Sequence, residues 1–403
     1  MKAGWKTVKL SDVTELLADG DWIESKDQSD DGIRLIQTGN IGDGTFKDRE
    51  EKARYISEST FKRLRCTEIF EGDCLVSRLP EPVGRSCILP SIPRSITAVD
   101  CSIIRFKQSL ILPEYFCYFS QSRNYQILVE SKTSGTTRKR ISRSHLSEIE
   151  IPLPPLAEQK RIVALLDEAF AGIDEAKAKA ENTMKGYDVL SRGITDRLVF
   201  PVDAIHPIKA LGQVVEIARG GSPRPIQNYF TDAPDGINWI KISDATASGK
   251  YIYKTVQKIK PSGLKKTRMV KPGDFLLSNS MSFGRPYIMK TSGCIHDGWL
   301  VLSGVERELD QDYLYHVLGS NSVYAQFDRL AAGSTVRNLN SESASKVLIP
   351  VPPISLQKEI AGKLDHAQEV IAAAQQLTSK KHEALISLRA SILSQAFAGE
   401  LTA

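Results

Sequence analysis

The sequence predicts an α+β protein in which two repeated α/β domains are joined by two long antiparallel helices that form a coiled coil, with pseudo-twofold symmetry. A proline-led motif occurs twice, as Ile-Pro-Leu-Pro-Pro at residues 151–155 and as Ile-Pro-Val-Pro-Pro at residues 349–353. A long run of helix-forming residues follows each copy, and the residues before each copy also repeat. Self-similarity at a fixed spacing indicates a duplicated chain, each half of which ends in a long helix.

The proline-led motifs predict where each helix begins. Proline fixes φ near −65°, keeps the preceding residue extended and is tolerated at the first helical position. The apolar residues that follow recur at steps of three or four, which is typical of a coiled-coil seam. A helix of about 43 residues would be roughly 60 Å long. The predicted pairing seam comprises Ile162, Leu166, Ile173, Tyr187, Leu190, Ile194, Ile360, Leu364, Ile371, Leu385, Leu388 and Ile392.

Three glycines interrupt the first helical run, at Gly172, Gly186 and Gly193. Glycine is costly inside a helix. Their presence predicts that this helix bends, or that another backbone approaches it closely there.

Motifs inside the two domains recur in the same order, about 200 residues apart. They are Gly-Asp-x-Leu-x-Ser (72–77 and 273–278), a Gly-Arg pair (84–85 and 284–285) and a Gly/Ser/Thr stretch ending in arginine (134–138 and 333–337). The duplication places the repeated domains at residues 1–150 and 201–348, and the helical regions at residues 151–200 and 349–403.

Within each domain, short β-rich segments alternate with turn residues. In the first domain the strands are expected at 34–37, 74–77, 86–89 and 102–106. One amphipathic helix should follow in each domain, at 113–130 and at 311–330. Asp73 and Asp274 are expected to cap local backbone in a turn that leads into a buried strand.

Composition excludes several protein classes. The chain has 403 residues, of which 41% are hydrophobic and 25% charged, as in a folded protein with more than one core. No apolar run reaches the ~18 residues of a membrane span and no signal-peptide core is present, so a cytoplasmic protein without a membrane partner is expected. Six cysteines without Cys-x-x-Cys spacing predict neither a metal site nor disulfides. The net charge of +5 permits nucleic-acid binding without requiring it.

The sequence contains no recognisable catalytic motif. Both Pro-Pro pairs lie between aliphatic residues, which supply no polar group for an amino-methyltransferase, and no phosphate-binding Gly-x-x-x-x-Gly-Lys-Ser/Thr loop occurs. The glycine-rich residues 39–44 begin no helix and predict a turn. Asp31, Glu50 and Lys52 could mimic a nuclease set, but the second half has no counterpart. The sequence therefore predicts a chain with no catalytic residues, no bound metal and no cofactor.

Recognition is the remaining interpretation. Arginine and lysine in a loop with hydroxyl and backbone donors suit phosphate contact, and arginine and asparagine can also contact guanine and adenine edges. A solvated charged surface is the alternative, both for these residues and for a second basic run at 265–271. The candidate DNA-binding residues are Arg78, Arg85, Ser134, Thr136, Thr137, Arg138, Lys139, Arg140, Arg143, Asn279, Arg285, Ser334, Thr335, Arg337, Asn338 and Asn340.

The duplicated Gly-Asp-x-Leu-x-Ser elements and the Ile-Pro-x-Pro-Pro-x-x-x-Gln-Lys helix starts give the whole chain a resemblance to the specificity (S) subunits of type I restriction–modification systems. That resemblance implies two target recognition domains, each reading one half of a bipartite site in double-stranded DNA. It also implies that the two helices set the spacer between the half-sites and dock two modification (methyltransferase) subunits, with restriction and motor subunits in the full complex. S-adenosylmethionine, ATP and magnesium are then expected on the partner subunits and not on this chain.

The two domains diverge outside their shared motifs, for example in Arg-Lys-Arg at 138–140 against Arg-Asn-Leu at 337–339. Different side chains at equivalent places predict different half-sites, hence an asymmetric target. Two other classes stay open at this point. One is a nuclease or methyltransferase with an unrecognised site, and the other is a coiled-coil adaptor without a DNA role.

Overall fold

The computed structural model describes residues 4–135, 138–201, 206–279, 284–331 and 339–401. The chain forms two compact units, which are treated separately below. Unit 1 combines Met1–Glu181 with Lys380–Ala403, and unit 2 is Asn182–Ser379. Each unit therefore contains one α/β domain together with the adjoining half of each long helix.

The described residues of unit 1 form ten strands and the start of the first long helix. The strands are β1 (Lys6–Lys9), β2 (Thr14–Asp19), β3 (Ile33–Ile36), β4 (Tyr55–Ile56), β5 (Glu68–Ile69), β6 (Cys74–Ser77), β7 (Ser86–Ile88), β8 (Ser95–Thr97), β9 (Cys101–Phe106) and β10 (Glu150–Leu153). The helices are α1 (Glu58–Leu64), α2 (Pro113–Ser120), α3 (Arg123–Ser131), α4 (Arg143–Ser147) and α5 (Leu156–Val199).

Unit 2 repeats this order. Its strands are β11 (Ile208–Ala210), β12 (Glu216–Arg219), β13 (Ile237–Ile240), β14 (Tyr251–Ile252), β15 (Gln257–Ile259), β16 (Arg268–Val270), β17 (Phe275–Ser278), β18 (Pro286–Met289), β19 (Gly293–Ile295), β20 (Trp299–Ser303) and β21 (Leu348–Pro350). Its helices are α6 (Leu211–Val214), α7 (Ile242–Ser248), α8 (Gln311–Gly319), α9 (Asn321–Ala331), α10 (Ser341–Ser345) and α11 (Ile354–Ala398).

The sheets of the two units have matching topologies. Unit 1 has an antiparallel sheet ordered β2-β9-β6-β7 and a mixed sheet ordered β4-β3-β8-β5, in which β3 and β8 are parallel. Unit 2 has the orders β12-β20-β17-β18-β14 and β15-β13-β19-β16, with β13 parallel to β19. A separate antiparallel pair, β1 with β10 and β11 with β21, joins the first strand of each repeat to its proline-led motif. The predicted duplication is confirmed, and β14 is an additional edge strand in the sheet of unit 2.

Turn chemistry at the start of the buried central strand is also shared. The Asp73 carboxylate accepts from the Phe70 amide at 2.9 Å, and Asp274 accepts from the Lys271 amide at 2.9 Å. The strands that follow, β6 and β17, are buried along their whole length. The predicted capping role of both aspartates is confirmed.

The glutamine of each proline-led motif fastens the long helix to its domain. Gln159 is fully buried; its side chain accepts from the Leu112 amide and donates to the carbonyl oxygens of Leu110 and Pro154, each at 2.9 Å. Gln357 makes the same three bonds in unit 2 at 2.7–3.0 Å. Because a buried amide must be fully hydrogen-bonded to be tolerated, this geometry fixes the angle at which each helix leaves its domain.

The predicted single amphipathic helix at 113–130 is instead two helices, and so is the one at 311–330. The break falls at a serine in both units, because its hydroxyl starts a new helix. Ser122 accepts from the Tyr125 amide and Ser320 from the Val323 amide, each at 3.2 Å. Side-chain capping of this kind favours a helix start over continuation.

The long helices pair within each unit, the start of one with the end of the other. In unit 1, the Arg389 guanidinium of α11 lies over the Phe170 ring of α5, 3.8 Å from the ring centroid. In unit 2, the Tyr187 hydroxyl of α5 lies 3.1 Å from that of Thr378 on α11. Most predicted seam residues are buried or pack against a core, namely Ile162, Leu166, Ile173, Ile194, Ile360, Leu364, Ile371, Leu385 and Ile392.

The prediction that Leu190 and Leu388 belong to the pairing seam is wrong, since these residues are 51% and 48% exposed. A straight α-helix has 3.6 residues per turn, so its buried face drifts away from a strict 3.5-residue pattern. The inward face passes instead through Ser191 and Arg389, each one residue further along. The three helix glycines border open space, so the expected close backbone approach at Gly172, Gly186 and Gly193 is also wrong.

Candidate nucleic-acid interface

Two predicted DNA-binding residues, Arg78 and Asn279, are buried at the same place in the two units. The Arg78 guanidinium donates to the Val99 carbonyl at 2.6 Å and pairs with Asp19 at 2.9 Å. The side-chain amide of Asn279 donates to the Asp297 carbonyl at 2.8 Å. Both side chains therefore clamp an internal turn, and assigning them to DNA contact is wrong.

Arg85 is likewise internal. Its guanidinium donates to five backbone carbonyl oxygens, among them those of Ile41 at 2.7 Å and Thr38 at 2.9 Å. Burial lowers the pKa of this arginine. With its donors satisfied inside the fold it holds a turn and is not free for DNA, whereas its counterpart Arg285 is exposed.

The predicted basic loop of unit 1 is exposed as expected. Ser134 and Arg140 form a two-way backbone bridge at 3.0 and 2.9 Å, which closes a tight loop. The side chains of Arg138 and Arg140 are 72% and 44% exposed, and Asp100 pairs with Arg140 at 3.0 Å. The other exposed residues are Lys139 in the loop and Arg143, the first residue of α4. The predicted Thr136 and Thr137 lie outside the described residues.

The equivalent loop of unit 2 contains the predicted residues Ser334, Thr335, Arg337 and Asn338, which lie outside the described residues. At its end, the Leu339 amide donates to the Asn279 carbonyl at 2.9 Å. The side-chain oxygen of Asn340 accepts from the Ser343 amide at 2.7 Å and so caps α10. Asn340 therefore has a structural role that its residue type alone did not reveal.

Unit 2 also contains a cleft of about 890 Å³ beside the turn that Asn279 clamps. Trp239 forms an apolar wall, and Lys241, Gln257 and His296 contribute polar groups. Burial lowers the pKa of His296, and the Gly298 amide donates to its Nδ1 at 2.9 Å. The ring is therefore neutral near pH 7, with its proton on Nε2.

A rim of exposed cations borders this cleft. Arg224 pairs with Asp297 at 3.1 Å, and Arg219 donates to the Asp297 carbonyl at 3.0 Å. Arg268, from the basic run noted in the sequence, donates to the Arg219 carbonyl at 2.9 Å. Exposed arginines around a concave surface suit the phosphates that flank a base-contacting surface.

Sequence reasoning identified the basic run at 265–271 but missed the cleft. Its lining comes from separate strands and loops, and a lone tryptophan, glutamine or histidine has no sequence signature. Within the described ranges, no three histidine, cysteine or acidic side chains are grouped so as to hold a metal ion. No described helix is both long enough and apolar enough to cross a bilayer.

A duplicated α/β frame that carries different side chains in its two copies defines a two-unit protein built from one repeated domain. The model of the type I restriction modification DNA specificity domain matches residues 2–183 and again residues 207–380. The chain belongs to this family.

Relatives and solved structures agree with that assignment. The chain is 21% identical to the putative type I restriction enzyme MjaX specificity subunit of Methanocaldococcus jannaschii, over 98% of this chain and 93% of the relative. It is 23% identical to the EcoKI specificity subunit of Escherichia coli, over 99% and 90%. The HsdS subunit of Thermoanaerobacter tengcongensis superposes with a TM-score of 0.63 at 20% identity, covering 99% and 98%. A chain from a structure on the assembly and conformational transition of the type I R-M system superposes with a TM-score of 0.82 at 20% identity. The match covers 99% of this chain and 99% of that chain.

Proposed function

We propose that this chain supplies the DNA sequence specificity of a type I restriction–modification complex, each unit binding one half of an asymmetric bipartite site. The observation that supports this most directly is that the two units share one frame but differ in their exposed side chains. Arg78 and Asn279 clamp the same internal turn in the two units, while the surfaces beside that turn differ. Identical scaffolds with different contact surfaces suit two different half-sites.

The unit 1 surface consists of the loop with Arg138, Lys139 and Arg140, together with Arg143 on α4. These four cations are exposed, and Gly135, which precedes them in the chain, has φ +103°. Such a set would follow a phosphate backbone and leave arginine guanidinium groups able to reach a base edge.

The long helices would set the spacer between the half-sites and dock the modification subunits. At 44 and 45 residues, α5 and α11 are each roughly 66 Å long at 1.5 Å per residue. Several apolar side chains on them face outward, and Val189 and Leu377 are 74% and 71% exposed. Apolar side chains of this number on polar helices favour a protein partner.

The chain itself would perform no chemistry. Methylation, translocation and cleavage would then come from the modification and restriction subunits, which would bind S-adenosylmethionine, ATP and magnesium.

Methylome sequencing of cells that express the chain with its modification subunits tests the proposal. The expected result is adenine methylation at two different half-sites separated by a fixed spacer, and loss of duplex binding when either half-site is altered. Identical half-sites would overturn the asymmetry. Cleavage or methylation by the purified chain alone would show an enzyme, and no retention of DNA by the complex would show an adaptor.

The spacer and docking roles have their own tests. Inserting four residues into the middle of both α5 and α11 should change the preferred spacer and leave both half-sites intact; an unchanged spacer would contradict the ruler. Leu377→Asp should reduce copurification of the modification subunits, whereas Gln376→Asp, at a neighbouring exposed polar position, should not. Equal effects of the two variants would contradict apolar docking.

A further inference from the structure

The cleft of unit 2 occupies a position that the internal duplication defines in both units. β13 pairs in parallel with β19 through Trp239 and Cys294, as β3 pairs with β8 through Leu35 and Ile96. The residue that follows each of these strands, Gln37 after β3 and Lys241 after β13, ends the strand in the same way. The Gln37 amide donates to Asn40, and the Lys241 amide donates to Asp244, each at 3.0 Å.

The turn beneath the cleft is equally well matched. Cys101 donates to the Ala98 carbonyl at 2.9 Å, and Trp299 donates to the His296 carbonyl at 3.1 Å. The backbone of the cleft region is thus common to the two units, and only its side chains can distinguish them. The equivalent pairs are Leu35 and Trp239, Gln37 and Lys241, Ala98 and His296, and Val99 and Asp297.

Three of these replacements, those of Leu35, Ala98 and Val99, exchange an aliphatic side chain of unit 1 for an aromatic or polar one in unit 2. In unit 1, Ala98 and Leu35 belong to a small apolar core with Ile96. In unit 2, His296 has an Nε2–H donor, and the side-chain ammonium of Lys241 forms no hydrogen bond or ion pair with the described residues. A fold does not need such groups at this position, because unit 1 has the same backbone without them.

One side-chain atom of Gln257, a residue that lines the cleft, lacks a partner. The side-chain oxygen of Gln257 is buried and accepts no hydrogen bond from the described residues. An unsatisfied buried acceptor costs about 1–3 kcal/mol, so its retention favours a ligand that supplies the donor. The exocyclic amino group of adenine or cytosine is a donor of this kind, and the lysine ammonium complements the O6 and N7 acceptors of guanine.

We propose that this cleft reads base edges of the second half-site, with Gln257 accepting from an exocyclic amino group and Lys241 donating to a base acceptor. The inference rests on the proposed function and specifies the residues through which unit 2 discriminates. The exposed arginines on the rim, Arg219 and Arg224, hold the flanking phosphates.

The test uses the full chain in complex with its modification subunits. Once methylome sequencing has defined both half-sites, competition binding measures the complex on duplexes that change one base pair at a time. Wild type should lose about tenfold in affinity when a contacted base is changed. Gln257→Ala and Lys241→Ala should each abolish this discrimination at a single base pair of the second half-site and leave the first half-site profile unchanged.

Single-atom base analogues identify the contact. Replacing adenine by purine, or cytosine by a base without the N4 amino group, at the Gln257 position should weaken wild type about tenfold and Gln257→Ala less than twofold. Lys254→Ala is the matched control, since it removes a lysine of unit 2 that is exposed and outside the cleft. It should lower affinity for all duplexes equally, if at all.

Several outcomes would overturn the inference. An unchanged second half-site profile in both variants, or a uniform loss over all sequences, would assign the cleft residues to phosphate contact or folding. Should Lys241→Ala fail to fold, Lys241→Gln carries the residue that unit 1 has at the equivalent place and must still change the profile. If wild type itself shows no bipartite discrimination, the proposed function fails; if it does and the variants match it, only this inference fails.

Discussion

Replacing Gln159 with leucine should destabilise unit 1 by about 3 kcal/mol. The side chain is fully buried and bonds to the Leu112 amide and to the carbonyl oxygens of Leu110 and Pro154. Leucine has a similar volume, so the packing change is small. Each buried backbone group left unpaired costs about 1–3 kcal/mol. The bond to Pro154 is fully buried and the other two are partly buried, so the loss is set at about two uncompensated groups.

Urea denaturation of the full chain, followed by hydrogen exchange of peptides from each unit, measures the effect. With a slope of roughly 3 kcal/mol per molar urea for a unit of this size, the unit 1 midpoint should fall by about 1 M while that of unit 2 stays. Gln357→Leu should lower the unit 2 midpoint and leave that of unit 1 unchanged, because the Gln357 side chain makes the same three bonds in unit 2. Gln376→Leu, at an exposed position of α11, is the control. A Gln159→Leu midpoint within about 0.2 M of wild type would refute the stabilising role of the three Gln159 hydrogen bonds.

Three further predictions follow from burial and backbone geometry. Gly172→Ala and Gly186→Ala should each stabilise the chain by about 0.5–1 kcal/mol in urea denaturation, since an added Cβ meets open space in a helix interior. Thiol reagents at pH 8 should label no cysteine before unfolding, as followed by mass spectrometry, because burial raises the pKa of Cys87 and of Cys101 to about 12. Burial also lowers the pKa of His316, so unit 2 should be most stable above pH ~6.5 and lose stability as pH falls below it; His316→Gln should reduce this loss in urea titrations at several pH values.

Each of these has a control or a contrary result. Gly44→Ala should destabilise, because that glycine has φ +82°; a stabilising effect there, or none at Gly172, would contradict the backbone reasoning. Rapid labelling of Cys101 in native protein would contradict its burial. His366→Gln removes an exposed histidine from α11 and should leave the pH dependence unchanged. A pH profile that His316→Gln does not flatten would show that another group dominates.

Local patterns determined much of the fold in advance. The two proline-led helices, the buried strand at 74–77 and the aspartates that cap its turn all depend on residues close together in the chain. The duplication is visible because such local motifs recur in the same order. The same holds for most of the seam, since helical periodicity alone decides which residues share a face. Where the prediction at Leu190 and Leu388 was wrong, the error was one residue, the amount by which a 3.6-residue helix drifts from a 3.5-residue pattern.

The roles of the arginines were decided only by tertiary structure. Arg78 and Arg138 look alike in sequence, yet one meets Asp19 and Val99 inside the domain and the other extends into solvent. The partners that distinguish them are distant in the chain, so no local pattern could separate an internal clamp from an exposed cation.

The cleft of unit 2 shows the same limit in its strongest form. Trp239, Lys241, Gln257 and His296 come from different strands and turns, and they meet because β13 lies between β15 and β19 in one sheet. The sequence by itself determined that there are two units and how each helix is launched. Which side chains converge on a surface depended on strand pairing between distant segments, and that pairing is set by burial of the whole sheet.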